Sequence, residues 1–74
     1  EKLIDKGKII SLWPSIVGKK INEKTETKTI KKGVLTIKTK DSVWRNELVF
    51  QKTDIIDKIN RKLEKKIIKD IRFL

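Results

Sequence analysis

The side chains able to do chemistry in this chain are overwhelmingly of one kind. Twenty Lys and Arg stand against ten Asp and Glu, a formal charge of +10 on 74 residues. An ammonium or guanidinium group neutralises phosphate and releases condensed counterions, so the chemistry on offer is salt-sensitive, sequence-independent binding of a polyanion. The charge is uneven. Residues 1–17 carry a net +1 and residues 41–74 a net +3, whereas residues 18–40 set eight lysines against Glu23 and Glu26, a net +6. The nucleic-acid-binding candidates are therefore Lys19, Lys20, Lys28, Lys31, Lys32, Lys38 and Lys40, with Lys19, Lys20, Lys31 and Lys32 foremost. The same lysines would equally discourage edge-to-edge pairing of short exposed strands. A compositional Lys and Ile bias that merely keeps the domain soluble is a further reading.

A second cluster, Arg61, Lys62, Lys65, Lys66 and Lys69, falls where a helix is expected to end, and the helix dipole favours cations there without any function. Trp13, Trp44, Phe50 and Phe73 all fall in apolar stripes, which points to the core and not to platforms for stacked bases. With no His and no Cys, the usual general bases, thiol nucleophiles, zinc sets and disulfides are missing. No G-x-x-x-x-G-K or G-x-G-x-x-G string cradles a phosphate. Asp54 and Asp57 could share one helix face, a spacing that usually marks a solvated surface. The expectation is a non-enzymatic protein with no cofactor, no metal and no small-molecule substrate.

These lysines have to be positioned by a scaffold. Leu3, Ile9, Leu12, Trp13, Ile16 and Val17 recur at three- and four-residue spacings, the stripe of an amphipathic helix. Pro14 predicts a kink or restart within it, and Gly18 its end. Residues 24–40 turn to Thr-rich alternation. Thr25, Thr27 and Thr29 share one side, and Leu35 and Ile37 oppose Val34 and Thr36, so a β-hairpin is expected with its turn at Lys31-Lys32-Gly33. Asp41-Ser42 signals a helix N-cap. Trp44, Leu48, Ile55, Ile59 and Leu63 then keep helical spacing for about 20 residues, roughly 30 Å, either as one bent helix or as two, the second capped by Thr53-Asp54. Residues 66–74 read as a last strand with Ile67, Ile71 and Phe73 on one side.

The fold class is thus α+β, in the order α-β-β-α-β, with residues 1–74 forming one domain and no linker or repeat dividing it. The helices would cover one face of a three-stranded sheet and leave the other in water. A chain this short buries only about 60% of its unfolded surface, but its 36% apolar residues are mostly Ile, Leu and Val, which pack well. No run of 18 apolar residues and no signal-peptide pattern occurs, so no membrane partner and a cytoplasmic location are expected. Opening on Glu1 instead of Met, and stopping abruptly at Phe73 and Leu74, the chain reads as a trimmed piece with flanking residues missing.

Four stretches carry a resemblance: Trp13-x-x-Ile16-Val17-Gly18, Gly33-Val34-Leu35-Thr36-Ile37, Ser42-Val43-Trp44-Arg45-Asn46-Glu47-Leu48 and Ile71-Arg72-Phe73. In this order they resemble the DciA-like family, and the Arg-Asn-Glu-Leu string is the most specific of them. The resemblance covers nearly the whole chain. It implies a fold similar to the KH domain, binding to DNA, single-stranded or structured, in preference to RNA, and a part in loading or recruiting the replicative DnaB-type helicase. The G-x-x-G loop by which true KH domains clamp a nucleic-acid backbone is missing, and Gly18-Lys19-Lys20-Ile21 does not supply it. On the same resemblance Trp13 and Trp44 are core anchors, and Arg45 and Glu47 pair with neighbours at the start of the second helix. A KH-like RNA-binding protein and a purely protein-interaction module are the alternatives.

Overall fold

A computed structural model describes residues 6–74 of the chain. The expected beginning of the first helix, with Leu3, lies outside the described residues. From Lys6 the helix α1 runs to Val17 and buries Ile9, Trp13 and Ile16, an i, i+4, i+7 stripe. Pro14 sits inside it without a restart, correcting the expected interruption as far as segmentation goes. The chain is then released at Gly18, whose φ of 93° favours glycine. A short helix α2, Lys19–Glu23, follows directly, an element that the apolar spacing did not signal.

The hairpin forms where alternation placed it, as β1 (Thr25–Lys31) against β2 (Val34–Thr39). Its two-residue turn is Lys32-Gly33, with φ of 50° and 83°. Both being positive matches the twist of the flanking strands. The strict alternation of threonines fails, however. Between Thr27 and Thr29 the register shifts, so Thr27 pairs with Ile37 and Thr29 with Thr36. Lys28 is the extra residue of this bulge, and past it the core side of β1 passes to Ile30, turning Thr29 outward.

Asp41 caps α3 (Ser42–Phe50), its carboxylate accepting the Trp44 amide at 2.9 Å. Two abutting helices follow the cap, and the break is at Gln51: α4 runs Lys52–Leu63. Thr53 and Asp54 lie inside α4, so they are not its cap, and Gln51 contributes no side-chain cap bond. The final strand β3 is only Asp70–Phe73 and pairs parallel to β2, giving the order β1-β2-β3. The segment before it is not strand. There Asn60 donates to the Ile68 carbonyl at 2.9 Å and accepts the Ile67 and Ile68 amides at 3.1 and 2.9 Å.

One core cluster joins α1, α3 and α4 to the sheet, through Leu35, Ile37, Ile71 and Phe73 on the inward face, with Leu48, Ile55, Ile59 and Ile68 opposite. This is the expected α+β, KH-like layering of helices on one side of a three-stranded sheet, with two more helices than the sequence order implied. The Thr25 hydroxyl fastens one end of the hairpin: it accepts the Trp13 indole N–H at 2.8 Å and donates to the Ile21 carbonyl at 2.8 Å. No helix among the described residues is long and apolar enough to cross a membrane.

Candidate nucleic-acid interface

The sheet presents three rows outward, read directly from the register. Lys31, Val34 and Asp70 form the row at the turn end; Thr29, Thr36 and Arg72 the middle row; Glu26 and Lys38 the next. The inward partners on the same strands are Leu35, Ile37, Thr39, Ile71 and Phe73, all buried. Period-two alternation therefore sends four cations, Lys28, Lys31, Lys38 and Arg72, to the helix-free side or its bulge.

The seven candidate lysines do not form one ridge. Lys31 and Lys32 lie at the hairpin turn. Lys19 and Lys20, on α2, and Lys40 gather at the opposite end, where the Lys40 amide donates to the Lys24 carbonyl at 3.0 Å. A seven-residue strand separates the two ends by about 20 Å. Lys28 and Lys38 span the distance between them, Lys28 with its ammonium 3.6 Å from the Glu26 carboxylate. That pair is exposed, so it holds Lys28 only weakly and leaves it available to phosphate.

Sequence reasoning missed three contributors. Arg72 stands outward between Ile71 and Phe73, and the alternation of β3 was the signal for it. Lys69 belongs to the C-terminal cluster assigned to the helix dipole, yet its amide donates to the Gly33 carbonyl at 2.7 Å. Its aliphatic stem lies against the turn, where a Cβ added at Gly33 would meet Lys69 Cγ at 3.1 Å. Lys24 joins Lys40 through the backbone. Of the remaining cluster, Arg61 pairs with Asp57 at 3.2 Å on α4. Asp54 and Asp57 are exposed, the solvated surface expected of that spacing.

The aromatics correct the expectation most. Trp13 and Phe73 are core, but Trp44 is half-buried outside the core cluster and Phe50 is 86% exposed. Trp44 is therefore not a core anchor. Its ring carries the Lys20 ammonium 6.0 Å from the centroid, the range of a cation–π contact. Arg45 and Glu47 do not pair with neighbours at the helix start: Arg45 donates from Nε to the Phe73 carbonyl of β3 at 3.0 Å, and Glu47 accepts Gln51 Nε2, just past the helix end, at 3.0 Å.

Such a surface can neutralise phosphates with Lys31, Lys38 and Arg72, and can donate hydrogen bonds to them from the Thr29 and Thr36 hydroxyls. Among the described residues no three carboxylates gather as a metal site would require. A search of curated proteins finds no relative that matches. The family model described as Dna[CI] antecedent, DciA, matches residues 1–73. The chain therefore belongs to the DciA family, whose setting is the loading of the DnaB-type replicative helicase.

Proposed function

We propose that this chain is a non-catalytic DNA-holding module that helps load or recruit the replicative DnaB-type helicase, and that the open sheet face receives the phosphates. One observation carries the DNA half. Cations remote in sequence, Lys31, Lys38 and Arg72, stand on the side of the sheet that no helix covers, while Lys32 and Lys69 extend that field past the turn. The proposed site takes in Lys19, Lys20, Lys28, Lys31, Lys32, Lys38 and Lys40 together with Arg72 and Lys69. The family supports the helicase as protein partner, and DNA in preference to RNA as the ligand is part of this proposal.

Fluorescence anisotropy with labelled single- and double-stranded DNA tests the DNA half. Binding that falls steeply with salt is expected, and no binding at low salt would remove it. Competition between RNA and DNA of one sequence separates the KH-like RNA-binding alternative. A pull-down of replicative helicase with and without DNA tests the other half. Helicase capture that survives replacement of Lys19, Lys20, Lys31 and Lys32 by Gln, together with absence of DNA affinity, would favour a purely protein-interacting module.

A further inference from the structure

We infer that the outer face of α3 is a stacking platform for unpaired bases of a single strand, built from Trp44 and Phe50 with Lys20 at its border. This rests on the phosphate-binding reading above, shares Lys20 with it and adds an aromatic surface to it. Val43 is 76% exposed and Phe50 86%, and they lie seven residues apart on one helical stripe. Trp44, Glu47 and Gln51 continue that face, and together with Val43 they line a shallow groove of about 300 Å³. Large apolar side chains left in water on an otherwise highly charged molecule mark a surface that something covers.

The surroundings identify the occupant. Lys20 lies over the Trp44 ring, and Lys19, Lys24 and Lys40 stand at the same end of the hairpin. Cations beside aromatic faces are the usual equipment for holding single strands, with the rings taking bases and the ammonium groups taking backbone. Glu47 lines the groove itself and Asp41 caps the helix at its Trp44 end. Carboxylates there repel phosphate, which keeps the backbone at the lysine border and turns the base toward α3. They equally oppose an acidic protein helix. A nine-residue helix is only about 13 Å long, and its apolar face falls well short of the roughly 800 Å² per partner of an ordinary protein interface. As a base docks on Trp44, Lys20 leaves the ring for the adjoining phosphate.

The test uses the whole chain, an oligothymidylate of about ten nucleotides and a hairpin duplex of matched charge. Trp13 is 2% exposed, so quenching of tryptophan emission on adding the single strand reports Trp44. Quenching by the oligothymidylate and not by the duplex is expected. Phe50→Ala and Trp44→Leu should each weaken single-strand binding about tenfold and leave duplex affinity unchanged. Neither side chain belongs to the core cluster, and circular dichroism checks that both variants fold. If the oligothymidylate binds without quenching and both variants bind it like the parent, the platform is wrong while the phosphate reading stands. If neither oligonucleotide binds, both fall.

Discussion

Replacing Asn60 by Ala should unfasten the segment that carries Lys69 to the hairpin turn. The amide of Asn60 makes three hydrogen bonds to the backbone of Ile67 and Ile68, between 2.9 and 3.1 Å. A hydrogen bond contributes a net of about 1 kcal/mol, and more when its loss orphans a buried group. Asn60 is half-buried, so water can reach part of the vacated site, and the expected loss is about 2–3 kcal/mol. At roughly 4–8 °C per kcal/mol for a domain of this size, Tm falls by something on the order of 10–20 °C. Asn60→Asp keeps acceptors for the two amides and loses only the donor to the Ile68 carbonyl, so its loss should be smaller. Thermal and urea unfolding followed by circular dichroism measure both. A change below about 0.5 kcal/mol for Asn60→Ala, the level of an ordinary surface substitution, would refute the reasoning.

Gly33→Ala places a Cβ 3.0 Å from the Ile67 carbonyl oxygen at a φ of 83°. A left-handed non-glycine residue costs about 1–2 kcal/mol before that crowding is added, and denaturant unfolding should show at least this loss. Thr25→Val removes the acceptor of the buried Trp13 indole and the donor to Ile21. It should cost about 1–3 kcal/mol, with an altered Trp13 emission in the folded state; an unchanged midpoint would contradict this. Replacing Lys31, Lys38 and Arg72 together by Gln should flatten the dependence of log affinity on log salt by about 2 for a single strand, at ~0.7 per phosphate contact. An unaltered slope in an anisotropy titration would place the phosphates elsewhere.

The elements legible in the sequence were those set by local chemistry. Gly33 marked the turn, Asp41 the cap, and the apolar stripe of α1 its buried side. What stayed hidden was decided by tertiary partners. The phase of Trp44, Leu48, Ile55 and Ile59 suits one continuous helix, but the chain breaks at Gln51, and within α3 Leu48 takes the centre of the buried stripe, which leaves Trp44 half-buried at its border and Phe50 on the far side in water. Nothing in Lys19–Glu23 has amphipathic periodicity, and that turn of helix exists because Ile21 reaches the core and Thr25 holds its carbonyl. Residues 66–69 have strand composition, but Asn60 satisfies the Ile67 and Ile68 amides and the Ile68 carbonyl. Of the candidate site, Lys31 and Lys38 were picked out by the charge excess of residues 18–40, and the strand phase that turns them outward came only with the register. The bulge at Lys28 has no marker in composition, and the approach of Lys69 to the turn joins residues too far apart in sequence for any local pattern to pair.

The parallel pairing of β2 with β3 fixes an order of assembly. Leu35 meets Ile30 across a two-residue turn, but it meets Ile71 only after both crossover helices have been laid down. Hairpins form in about 1–10 μs, whereas closing a long connection delays every contact that depends on it. Arg72 and Lys69 are therefore expected to dock after the hairpin has formed. Native-state amide exchange should find the amides of residues 70–73 less protected than those of β2 that bond to β1. During a local opening of β3 the hairpin can stay intact, so the outward surface would lose Arg72 while keeping Lys31 and Lys38.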